Sequence, residues 1–416
     1  MIGFRALSRY WCTNLQTSVI CVLTIFSLLP NSVAAGEVSV GSFIRTLKSC
    51  HPELRASALR VEMAGVALQQ VDAGRLPSFS VSADGFTQSG ERTAQLQLTV
   101  TAPIATFGVL PAKKELEAAR LELQRVSHSK EVRSHTERLI SATISRFYLD
   151  EKIALLQEIL ELKGGLNEQM KRRLALGNAS NADVLQVEAS LAQNQARRNN
   201  LQNEVFIADQ EIRTLKCTGM DVRQIVLDLQ PIIQTYNGVI LRSVEFIEAE
   251  RKVAVLQSEL NLERLSNRPT LQLEGSAALN NNGHTAPRVG ISTTFEYQNL
   301  GRSQSFRMRD KDLKLQEAVL DVAKVQQEQE QRLVIIEEQL MFLTAQALPQ
   351  RQASILNLEE QLASSQRLFD GGRITMNELL SSYDELSTAK IDLVEMRKQT
   401  DLLQLEKFFL IGGAKG

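Results

Sequence analysis

The chain has 416 residues, 47 Lys and Arg against 48 Asp and Glu, and 43% hydrophobic but only 5% aromatic residues. That apolar content excludes a disordered chain, and a net charge of -1 without a long basic run removes nucleic acid from the expected partners. Nine prolines in a background of Leu, Ala, Gln, Glu, Lys and Arg favour long helices, because straight-chain side chains lose little rotamer freedom there.

Residues 1–35 read as a secretory signal peptide. Arg5 and Arg9 form a positive start, Ser18 to Leu29 an apolar stretch, and Val33-Ala34-Ala35 a cleavage site before Gly36. The apolar stretch is shorter than the roughly 20 residues of a spanning helix, and Pro30 and Asn31 follow it at once. Cys12 and Cys21 leave with this leader, and neither sits in a lipidation motif. In an exported chain the remaining Cys50 and Cys217 either pair or stay free thiols. His51, His128, His135 and His284 are scattered, so no metal-ligand spacing is legible. His128 and His135 lie seven apart on a predicted helix and read as solvated surface side chains.

A first helical stretch ends at Arg75-Leu76-Pro77-Ser78. Between Pro77 and Gly108 the pattern becomes that of a β-hairpin. Phe79 and Val81 open it, Gly85 to Arg92 supply a polar turn, and Ala94 to Thr101 alternates strictly. Leu96, Leu98 and Val100 therefore share one oily face, with Gln95, Gln97 and Thr99 on the other. Strands of roughly 8 to 10 residues are close to the length that crosses a bilayer when tilted. Ala112 to Leu176 holds no proline and reads as a helix on the order of 100 Å long, with a bend expected at Gly164-Gly165. Gly177 suits the helix end, and Ser180 caps the next helix, which begins at Ala182-Asp183-Val184-Leu185.

The same order then recurs. Pro269 follows Pro77 by 192 residues, Gly301 follows Gly108 by 193, and Gly372 follows Gly177 by 195. Leu271 and Leu273 open the second hairpin, Asn280 to Ala286 form its polar turn, and Val289, Ile291, Thr293 and Phe295 alternate. The helical run from about Met308 to Phe369 has a kink expected at Pro349. Ile355, Leu358, Leu362, Ser365 and Phe369 keep a three-four spacing, as do Leu379, Tyr383, Leu386 and Leu393, which is a coiled-coil seam. The expected organisation is a signal peptide at 1–35 and a first repeat at 36–220, with strands about 77–103. A linker at 221–243 and a second repeat at 244–416, with strands about 269–296, complete it.

Four strands cannot close a barrel, and an open sheet edge is not stable in lipid, so a membrane role requires several chains to share one barrel. On these residues the sequence resembles the TolC family of outer-membrane channel proteins. The resemblance rests on the twofold helix-hairpin-helix repeat, the Leu76-Pro77-Ser78 and Arg268-Pro269-Thr270 approaches, and the paired turns from Gly177 to Leu185 and from Gly372 to Leu380. It spans roughly Val38 to Ile411. It implies a mostly α chain with a small β part, in which a homotrimer builds a 12-stranded barrel in outer-membrane lipid and a coiled-coil tunnel in the periplasm. No catalytic residue and no cofactor are implied. The implied role is an exit duct for type I protein secretion or small-molecule efflux, fed by an inner-membrane pump through a periplasmic adaptor protein.

By the same resemblance Gly177, Asn178, Gly372 and Arg373 are periplasmic tip residues that meet the adaptor. Asp183 stands where the family has an acidic residue of the tip gate, whereas Phe369 replaces a gate tyrosine and Ser381 an acidic residue of a cation-binding ring. Ile374 occupies the position of the gate's basic residue, with Arg373 one place earlier. Leu96, Leu98, Val100, Val289 and Ile291 are expected to face lipid. Cys50 and Cys217 fall near the tunnel's middle, where a disulfide between them is expected. The competing reading is a secreted or periplasmic coiled-coil scaffold without a pore, and charges at Leu96, Leu98 and Val100 separate the two. The absence of a GxxxxGK[ST] phosphate loop speaks against an energy-transducing enzyme.

Overall fold

The computed structural model describes residues 40–88, 91–217, 219, 243–280, 285–294 and 302–411. The leader, the 221–243 linker except Ser243, His284, Phe295 and the Gly301 landmark lie outside the described residues. In chain order the elements are α1 (Val40–Cys50), α2 (Pro52–Ala73), β1 (Ser78–Gln88), β2 (Glu91–Ala105), α3 (Val109–Ala175) and α4 (Asn181–Leu215). The order then repeats as α5 (Val244–Leu265), β3 (Thr270–Asn280), β4 (Thr285–Thr294), α6 (Arg302–Phe342), a π turn (Leu343–Ala347), α7 (Leu348–Asp370) and α8 (Met376–Leu410).

The helices begin and end where backbone chemistry dictates. Pro52 opens α2, a position where its missing N–H costs nothing. Helix α3 runs unbroken for 67 residues through Gly164 and Gly165, where the sequence predicts a bend. Leu160, Leu166 and Met170 on either side of the pair are buried, and that packing offsets the roughly 1 kcal/mol that each glycine costs a helix. A π turn lies just before Pro349, where the sequence predicts a kink. That turn absorbs the missing donor, and the helix continues to Asp370.

The strands form one antiparallel sheet in the order β1-β2-β3-β4. They are longer than predicted, at 11 and 15 residues in β1 and β2, because the Gly85–Gln88 segment and Arg92 join the ladder instead of forming a turn. Backbone pairing is indifferent to polar side chains where these stay solvated. The register places Val81 opposite Leu98 and Leu98 opposite Ala277, while Gly275 faces Val289 and Leu273 faces Ile291. Directly paired residues share a face, so the apolar residues of all four strands fall on one side. The other side carries Ser80, Gln97, Thr99, Ser276 and Arg288. The β2–β3 register shifts between Pro103 and Ala105, as proline cannot donate to a ladder.

Helix α3 is the spine of the helical body. It packs against α2 and α5 along one part of its length and against α4 and α8 along the rest, while α6 lies on α5 and α7 on α8. Two apolar clusters hold this layer together. One joins Leu47, Leu54, Leu139, Leu215, Leu405 and Phe409, and the other joins Met170, Val187, Leu362, Met376, Leu379 and Tyr383. Among the described residues no helix is long and apolar enough to cross a membrane.

Candidate functional site

The two ends of the helical body differ in chemistry, and the sheet end is oily. Phe79, Val81, Leu96, Leu98, Val289 and Ile291 are all exposed, Val289 to 81%. A patch of this kind is unusual on a soluble surface and marks contact with protein or lipid. The strands β1 and β4 are the sheet's two edges. At the strand-to-helix joint, Phe107 and Gly108 adopt φ 44° and 93°, and Arg268 Nη1 donates to the Phe107 carbonyl at 3.0 Å. Glycine supplies the left-handed step that turns the chain from β2 into α3.

At the other end, two turns share one design. Gly177 and Gly372 have φ 74° and 69°. Asn178 N donates to Arg173 O at 2.8 Å and Gly177 N to Leu174 O at 2.9 Å, while Arg373 N donates to Leu368 O and Gly372 N to Phe369 O, both at 2.9 Å. Each is a Schellman helix end, followed by a reciprocal cap. In the first cap Asp183 Oδ2 accepts from Ser180 N at 3.0 Å, and in the second Glu378 Oε2 accepts from Thr375 N at 2.7 Å. Asp183 therefore serves its own helix start. The turns are tied together by Arg173, which pairs with Asp370 at 2.6 Å and stacks over the Phe369 ring at 5.6 Å. Leu176 and Leu185 remain exposed beside this tie. Ser381 lies one turn of α8 further on and donates to Glu385 at 3.2 Å.

Residues 43–216, which run from α1 to the end of α4, match the family described as outer membrane efflux protein. The match covers less than half of the chain, so it shows a similarity of that stretch to the family. No curated protein sequence matches this chain. Its fold is similar to that of CusC, with TM-score 0.76 at 14% identity over 90% of this chain and 92% of the other. VceC from Vibrio cholerae gives 0.73 at 14% identity over 89% and 95%, and CmeC from Campylobacter jejuni gives 0.75 at 13% over 89% and 85%. At these identities the likeness is one of fold. The matched stretch and the fold are both similar to those of outer-membrane efflux channels.

Several residues of this chain escaped the sequence reading. Lys163 is wholly buried, with its Nζ 2.7 Å from Asp384 on α8 and 2.6 Å from Ser190 on α4, so one ammonium joins three helices. Tyr148 donates to Asp401 at 2.6 Å, and burial raises its hydroxyl's pKa, which keeps it protonated. His135, read as solvated, is buried, because the end of α4 folds over it. Cys50 and Cys217 are joined by a disulfide with a Cα separation of 6.0 Å, tying the end of α1 to the end of α4.

Proposed function

We propose that three copies of the chain close their sheets into one 12-stranded barrel in the outer membrane. Their helices then form a tunnel that receives cargo from an inner-membrane pump through a periplasmic adaptor. The observation that carries this reading is the open four-stranded sheet with an exposed apolar face. In lipid every unpaired edge group costs several kcal/mol, so β1 must find β4 of another copy. These edges run antiparallel in chain order, which lets identical copies join head to tail around a ring. Leu96, Leu98, Val100, Val289 and Ile291 then face lipid, and the polar face lines the lumen.

Domain boundaries at 36–220 and 244–416, joined by 221–243, give each copy two repeats of the same element order. The turns at Gly177, Asn178, Gly372 and Arg373 are the periplasmic tips, and exposed Leu176 and Leu185 supply apolar surface for the adaptor. Asp183, Phe369 and Ser381 belong to the gate region. With Asp183 committed to its cap, the Arg173 contacts to Asp370 and Phe369 hold the two tip turns of one chain together.

Cysteine pairs placed one on β1 at Val81 and one on β4 at Val289 or Ile291 test this arrangement. Oxidation in isolated outer membranes is expected to give a ladder that stops at three chains. A ladder that continues past three, or chains that stay single at every pair, overturns the shared barrel.

A further inference from the structure

We propose that His51, Glu53 and His135 form a site for one divalent transition-metal ion of the zinc type, at the joint where α1, α2, α3 and the end of α4 meet. One ligand atom from each of the three side chains lies within 4.8 Å of the others. The two imidazole centroids are 4.0 Å apart. On a tetrahedral zinc ion with bonds of about 2.0–2.2 Å the ligand atoms stand about 3.5 Å apart, so binding draws the ligand atoms together and re-orients the two rings.

The hydrogen bonds around the rings favour an ion over a purely structural role. His51 Nε2 lies 3.2 Å from the Thr214 carbonyl and His135 Nε2 lies 2.8 Å from the Leu215 carbonyl. Carbonyls only accept, so both Nε2 atoms carry the proton and both Nδ1 atoms present a lone pair. A metal-bound histidine is held in this way, with its second nitrogen donating to a backbone carbonyl. Thr214 and Leu215 close α4, where carbonyls lack partners within the helix, so helix capping accounts for the Nε2 bonds. It does not account for Nδ1 of His51, which is buried and has no partner among the described residues, in a side chain only 7% exposed. A buried nitrogen left unpaired destabilises the fold, and a metal ion removes that cost.

The charge arrangement agrees. Glu53 supplies the negative charge from the exposed first turn of α2, which also leaves an approach for the ion and room for a water as fourth ligand. The Cys50–Cys217 disulfide adjoins His51 on one side and follows Leu215 on the other, fixing both walls of the site. A bound ion would cross-brace the body at that joint, independently of the transport path.

The test uses the tag-free mature trimer in detergent, stripped with a chelator and dialysed against Zn2+, with Co2+ as a spectroscopic probe. One Zn2+ per chain is expected, with the intense visible bands of tetrahedral Co2+. Glu53→Gln changes only an exposed side chain and is expected to weaken binding about tenfold or more while the metal-free melting curve stays unchanged. His135→Ala is expected to abolish the Co2+ bands. A stripped wild-type chain that takes up no Zn2+, or a Glu53→Gln chain that binds it as tightly as wild type, overturns the site.

Discussion

Lys163 shows how little a single residue's type says about its role. In the sequence it is one of 47 basic residues on a helix that reads as amphipathic. In the fold it is wholly buried and held by Asp384 and Ser190. Removing one partner of such a pair costs more than removing the charge that must be compensated. Asp384→Ala is therefore expected to destabilise the folded chain by about 1–3 kcal/mol, because it strips the buried ammonium of its counter-charge. Lys163→Met is expected to stay within about 1 kcal/mol of wild type. Denaturant midpoints of the two variants check the order, and a larger loss in Lys163→Met reverses the argument. The exposed Arg173–Asp370 pair is the opposite case, since screening by solvent limits such pairs to less than about 1 kcal/mol.

At the scale of elements, the caps were legible and the irregularities were not. The Gly177 and Gly372 ends and the Ser180 and Thr375 caps follow from local chemistry, since a left-handed φ and an N-terminal hydroxyl act within four residues. The caps also predict a pH response. The Glu378 carboxyl is held below its ordinary value, 4.5, chiefly by the Thr375 backbone N–H. Because the folded value lies below the unfolded one, its contribution is whole above the unfolded value and is lost as pH falls through the folded one. The hydrogen-exchange protection of the Thr375 amide is expected to drop as pH falls below the ordinary carboxyl value in wild type and to stay flat in Glu378→Gln. Equal pH dependence in both chains would show that the carboxylate does not hold this cap. At Gly164-Gly165 the helix is continuous, and the neighbours that pack on α3 come from other helices, which no local pattern shows.

For the whole molecule, the sheet decides where the chain resides. Its two faces were readable from alternation alone, and Leu98 and Gln97 sit on opposite faces of the same strand. In the proposed barrel Leu98→Lys would place a charge on the lipid side at a cost of about 2–4 kcal/mol near the bilayer midplane, so membrane-assembled trimer is expected to fall sharply. Gln97→Lys would face the proposed lumen and is expected to assemble normally. Quantifying heat-resistant trimer in outer-membrane fractions separates the two, and equal assembly of both variants would fit the poreless scaffold instead.

By itself the sequence determined the kinds of elements, their duplication and the faces they present. Those properties depend on periods of 2 and 3.6 residues and on backbone preferences that act over a few positions. Only the tertiary structure decided which distant side chains meet. Lys163 reaches Asp384 across 221 positions, Cys50 bonds Cys217 across 167, and the His51 ring lies against that of His135 on α3. A local pattern fixes the side of an element on which a residue lies, but the packing of that side against other elements chooses the partner.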